Sequence, residues 1–113
     1  MSKYLEELTV RLSVAAANLS EATRRRHAAW LAAQQRPDGG FAGREGDSDL
    51  YYTGFALRGL AVLGQLEGPV AQHSARFLQQ KLAGRETIID FLSLIYGAAL
   101  VQSAAGIDVF EEE

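Results

Sequence analysis

The stretch "RPDGGFAGREGDSDLYYTGFALRGLAVLG", Arg36–Gly64, joins two unlike halves. The first half is a loop rich in glycine and charge. The second is apolar at nearly every position: Leu50, Tyr51, Tyr52, Phe55, Leu57, Leu60, Val62 and Leu63. Asp49 is a natural N-cap for a helix, and Gly64 suits the left-handed position that closes one. Such a helix has almost no polar face, so protein is expected on both of its sides. Gly54 and Gly59 lie within it. Each costs about 1 kcal/mol relative to alanine, which points to close approach of a neighbouring element.

Four more helices are predicted around this one. The first covers about Lys3 to Asn18, with Leu5, Leu8, Leu12, Ala15, Ala16 and Leu19 on one face at three- and four-residue steps. Ser20 is the expected N-cap of the second, about Glu21 to Gln35, whose apolar face carries Ala22, Ala29, Trp30 and Ala33. Pro37 ends it, since the residue before a proline is pushed out of helical geometry. "EGP" at Glu67 to Pro69 opens the fourth helix, with proline at the first helical position. In that helix Val70, Ser74, Phe77 and Lys81 trace one stripe, and Ala71, Ala75, Leu78 and Leu82 its neighbour. Gly84 closes it. "TIID" reads as a capping box, with Thr87 as cap and Asp90 three residues on. The fifth helix runs from there to about Ala105 and is again apolar nearly all round. No period-two alternation competes, so the fold class is all-α.

The 113 residues suit one domain, 1–113. A net charge of −3 gives no attraction for nucleic acid or an anionic membrane surface. The absence of cysteine excludes disulfides and thiolate metal sites, and His27 and His73 are too few for a His-rich site. "MSKYLEEL" lacks the basic start, apolar stretch and cleavage site of a secretory signal, so a cytoplasmic location is expected. "FLSLIYGAALVQSAAGI", Phe91–Ile107, approaches the ~18-residue lower limit for a membrane span. It contains Gln102 and two serines and lacks a basic anchor, and it reads as a buried helix. "RRRH" at Arg24 to His27 fans around its helix and reads as a solvated face, and the aromatic residues Trp30, Tyr51, Tyr52, Phe55, Phe77 and Tyr96 read as core.

The helices alternate in character, the second and fourth having polar faces that the third and fifth lack. "AAWLAAQQ" at Ala28 is echoed by "ARFLQQKL" at Ala75, and "DLYYTGFALRGLAVL" at Asp49 by "DFLSLIYGAALVQSA" at Asp90. The second offset is shorter because the second copy lacks the long loop. This spacing marks a helical-hairpin repeat. The divisions are an N-terminal helix (1–19), a first hairpin (20–64) with its glycine-rich loop (36–48), and a second, degenerate hairpin (68–106).

The run "Q-x-x-D-G-G-F-x-G-R" followed by "D-L-Y-Y-T-x-F-A-L" resembles the repeat of protein prenyltransferase β subunits and squalene/terpene cyclases. The resemblance is strongest over Trp30 to Gly64 and implies an α/α toroid in which inner helices line an isoprenoid cavity. About two hairpins are present, so the toroid is incomplete. Read from the residues alone, the loop is a corner. Gly39 and Gly40 allow a tight reversal, Phe41 plugs the gap between hairpins, Asp38 bonds backbone N–H groups, and Gln34 and Gln35 satisfy carbonyls at the helix end.

The resemblance implies Arg44 and Tyr52 as contacts for an isoprenoid diphosphate and places Asp49 at a zinc-ligand position. Tyr51 stands where the family has the zinc cysteine, Gly46 or Asp47 stands for a diphosphate-binding lysine, and the family's zinc histidine has no counterpart. Zinc, and any other cofactor, is therefore not expected. Against the cyclases' D-x-D-D-T, "DSDLYYT" has Asp47 and Asp49 but Leu50 in place of the next aspartate. No catalytic residue is assigned, and Arg44, Asp49, Tyr51 and Tyr52 remain ligand-binding candidates. The functional expectation is a reduced, non-catalytic interaction or assembly module. It would be completed by homo-oligomerisation or another subunit, which would cover the two apolar helices. An isoprenoid-handling enzyme or subunit with its pocket completed by oligomerisation is the alternative. An open side on either apolar helix would mean abandoning the kinship and the roles inferred from it.

Overall fold

The computed structural model describes residues 2–84 and 88–111. It is all-α, with α1 (Ser2–Ala16), α2 (Glu21–Ala32), α3 (Leu50–Val62), α4 (Gly68–Leu82) and α5 (Ile88–Ala105). The caps follow the local chemistry. Ser20 Oγ accepts from the Thr23 N–H at the start of α2, and Asp49 Oδ1 accepts from the Tyr52 N–H at 2.8 Å at the start of α3. Gly64 and Gly106, both with φ 71°, follow α3 and α5 in the left-handed conformation that glycine adopts without strain. Pro69 lies in the first turn of α4, where its missing N–H has no helical partner to lose. The expected Thr87 cap lies outside the described residues.

α3 and α5 pack on each other at the centre. α4 lies against α5, while α1 and α2 lie against α3. The core-facing stripe of α3 is Leu50, Thr53, Ala56, Leu57 and Leu60, spaced by three and four residues. Leu57 and Leu60 meet Leu94, Ala98 and Val101 of α5 and Phe77 and Leu78 of α4 in one buried cluster. Gly97 is buried at this contact, where a Cβ would stand in ordinary van der Waals range, 3.4–3.5 Å from side-chain carbons of Leu78 and Leu57. Both expected stripes of α4 face inward, since Ala71, Ser74, Ala75, Phe77 and Leu78 are all buried. Past Gly106 the chain turns back and inserts Val109 into the core.

Three facings differ from the sequence reading. α1 does not bury its Leu8–Leu12–Leu19 stripe. Ala16 is buried and Leu8 half-buried, whereas Leu12 and Leu19 are exposed, and none of the described α1 side chains joins the main cluster. α2 turns Ala28 and Leu31 inward and leaves Ala22, Ala29, Ala33 and Trp30 outside, Trp30 at 67% exposure. Alanines define a weak face, so the long aliphatic Leu31 decides the orientation. Its Cδ2 would lie 2.9 Å from a Cβ on Gly59, the close approach expected at that glycine. Gly54 has no such neighbour within 4 Å.

The third difference concerns the two apolar helices, neither of which is covered on all sides in the single chain. Tyr51 (54%), Tyr52, Phe55 (53%), Phe91, Leu92 (57%) and Ile95 are exposed, so of the aromatic residues expected in the core only Phe77 is fully buried. α1 and α2 lie against α3 and α4 against α5, and these contacts leave the residues just named uncovered.

This division predicts unequal costs of truncation. Leu57→Ala should destabilise the chain by about 2–5 kcal/mol, the usual range for emptying a core leucine site. Leu12→Ala should cost under about 1 kcal/mol, because its side chain is partly solvated and lies outside the main core. Urea denaturation followed by circular dichroism checks both values.

Candidate functional site

Two places concentrate polar and aromatic chemistry: the corner made by residues 36–49 and an open groove between α3 and α5.

The corner is closed by its backbone. The Gly39 N–H donates to Arg36 O at 2.8 Å, the Arg36 N–H to Gly40 O at 2.9 Å, and the Asp49 N–H to Phe41 O at 3.0 Å. Phe41 and Asp49 thus pair as an isolated antiparallel bridge at the neck, with Arg44, Glu45, Gly46 and Asp47 as an exposed tip. Asp38 Oδ1 accepts from the Gly40 N–H (2.9 Å) and from Ser48 Oγ (2.8 Å), fastening one side of the neck to the other. Phe41 is buried, and its N–H donates to the Oγ1 of fully buried Thr53 at 2.9 Å. The neck is thereby tied to α3.

Gln35 ties it to α4. Its Nε2 lies 3.0 Å from Gly39 O, 3.1 Å from Val70 O and 3.0 Å from Ser74 Oγ. One amide therefore joins the end of α2, the loop and α4, whereas Gln34 only bonds back to Trp30 O at 3.2 Å. Gly39 sits so close to α4 that a Cβ would stand 1.9 Å from His73 O, and its φ is 90°. Gly40 is nearly as tight, against the ring of Phe77. The hydrogen bonds that Thr53 and Ser74 make in this corner were not foreseen from the sequence, which placed Ser74 only in a stripe of α4. Their signal was faint: single hydroxyl residues on otherwise apolar faces, which need a partner when buried.

Of the ligand candidates, Asp49 is a helix cap, and Arg44 is exposed at the loop tip. The Tyr52 ring lies over Gly43, where a Cβ would come within 2.6 Å of it. Tyr51 stands edge-on to Tyr52 and Phe55, with centroids 5.5 and 4.9 Å away. Only Tyr51 of the four candidates lines the groove, whose other walls are Gly54, Phe55, Arg58, Leu92, Ser93 and Tyr96, enclosing about 270 Å³. The Arg58 Nε–H donates to Tyr96 Oη at 3.0 Å, and Tyr96 Oη in turn lies 3.2 Å from Thr9 Oγ1 of α1. The guanidinium carbon is 5.0 Å from the Tyr96 ring centroid and 6.0 Å from that of Phe55, within cation–π range. Arg58 and Tyr96 as a pair went unread in the sequence, since they are 38 residues apart.

Among the described residues, the groove walls offer hydroxyls and one cation but no imidazole, carboxylate or thiol, the usual groups for proton transfer near neutral pH. Among the described residues, no group of three or more His, Cys, Asp or Glu could hold a metal ion. No helix among them is long and apolar enough to cross a membrane. Comparison with family models, curated proteins and solved structures finds no match for this chain.

Two loop glycines with the same backbone sign separate packing from strain. Gly39→Ala should cost more than about 3 kcal/mol, since left-handed strain adds to collision with a backbone carbonyl. Gly46→Ala, with φ 95° but open space around it, should cost only about 1–2 kcal/mol. Equal losses in chemical denaturation would contradict the packing of this corner on α4.

Proposed function

We propose that this chain is a non-catalytic assembly module that pairs with a second copy of itself through the open side of α3 and α5. One observation carries the reading: Tyr51, Phe55, Phe91, Leu92 and Ile95 stand exposed on two adjacent central helices. Full burial of side chains of this size contributes about 1.5–3 kcal/mol each. Contiguous exposed apolar surface on a small chain marks an interaction site. A second copy fits this chemistry because an isologous contact sets the same patch against itself and needs no complementary charge.

On this reading the chain is a reduced relative of the prenyltransferase and cyclase repeat, and the partner copy supplies cover that further hairpins give in those enzymes. The single chain leaves one side of each apolar helix open, the condition under which the kinship is abandoned unless the partner copy covers that side. Isoprenoid diphosphate handling has less support, since Arg44, Asp49 and Tyr52 lie away from the groove walls.

Sedimentation velocity over a wide concentration range tests the pairing. The native chain should sediment as a dimer, and the double variant Phe55→Asp, Leu92→Asp should sediment as a monomer with unchanged helical circular dichroism. A native chain that stays monomeric throughout would overturn the proposal.

A further inference from the structure

We infer that the groove between α3 and α5 binds a small amphipathic carboxylate, with its acid group on Arg58 and its apolar body over Gly54. This inference does not rest on self-pairing.

Gly54 supplies the first support. It lies inside α3 with no positive φ, and among the described residues a Cβ at this position would meet nothing within 4 Å. Neither backbone geometry nor a packed neighbour asks for glycine here, although glycine weakens a helix interior. What the missing side chain does is lower the floor of the groove between Tyr51, Phe55 and Leu92. A local sequence choice that opposes stability and opens an apolar recess fits a recess kept for an occupant.

Arg58 supplies the second. It is half-buried, and its Nε–H is committed to Tyr96 Oη, which Thr9 holds from the other side. The guanidinium plane is thus set before any ligand arrives. Its terminal N–H groups have no partner among the described residues, and such a fork matches the two oxygens of a carboxylate. The surrounding walls are mostly aromatic and aliphatic, which strengthens a charge-assisted hydrogen bond made there. At about 270 Å³ the groove falls just below the range of drug-sized sites, so the ligand is a short acyl or aryl acid rather than a long lipid.

Titration calorimetry with octanoate, and with octanamide as its neutral counterpart, tests this on the native chain, Arg58→Gln and Gly54→Leu. Octanoate should bind the native chain saturably, one per chain. Octanamide on the native chain, and octanoate on Arg58→Gln, should each bind at least about tenfold more weakly, the loss expected for a charged hydrogen-bonding partner. Gly54→Leu should fill the recess and lose saturable binding while melting no lower than the native chain, which shows that it still folds. Absence of saturable octanoate binding, or equal affinity for octanoate and octanamide, would overturn the inference, as would undiminished binding by Gly54→Leu. Sedimentation of the same samples separates the two readings. Tyr51, Phe55 and Leu92 belong to both surfaces, so the titrations are made at concentrations where the chain sediments as a monomer. Binding there supports the site, and its absence there overturns the site whatever the chain does at higher concentration.

Discussion

The amide of Gln35 holds together three segments that the chain order keeps apart. It reaches the loop at Gly39 and α4 at Val70 and Ser74 from the last turn beyond α2. Buried hydrogen bonds of this kind each add only about 1 kcal/mol, but leaving their partners unmet would cost more. The amide fits there because Gly39 has no side chain to keep the loop away from His73 O. With the loop seated on α4, Phe41 fills the space beneath it, and its N–H fixes Thr53 and hence the rotation of α3. Rotation of α3 then decides which residues face the core and which face outward.

That rotation gives α3 two apolar sides with different fates. Leu50, Thr53, Ala56, Leu57 and Leu60 complete the core, while Tyr51, Tyr52 and Phe55 form an edge-to-face aromatic row in the open. α5 divides similarly, with Leu94, Ala98 and Val101 inward and Phe91, Leu92 and Ile95 outward. Among the described residues, the five helices leave part of the central α3–α5 pair open. In the corner Gln35, Asp38 and Ser48 hold the loop and helices together, while the flank with Tyr51, Phe55, Leu92 and Ile95 stays open.

Local chemistry made several features legible in the sequence: Ser20 and Asp49 as caps, Gly64 as a helix end, Phe41 as a plug and Asp38 as a turn acceptor all depend on residues within a few positions. Facings set by distant packing were harder to read. An alanine-rich α2 carries little directional signal, and Leu31 overrode the expected face by packing on Gly59. The stripe on α1 is regular, yet the bundle offers it only part of a surface. Gly54 and Gly59 look alike in sequence and differ only in what lies above them. Arg58 meets Tyr96 through tertiary structure alone, and Val109, set among acidic tail residues, gave no sign that the chain turns back into the core.

Native-state amide exchange followed by NMR tests most directly the claim that the glycine-rich corner is a structural lock. The Phe41 N–H, bonded to buried Thr53, should exchange only on global unfolding, with the protection of core amides such as that of Leu57. If Phe41 instead exchanges as fast as Gly46 at the exposed loop tip, the corner opens independently of the core and cannot set the rotation of α3.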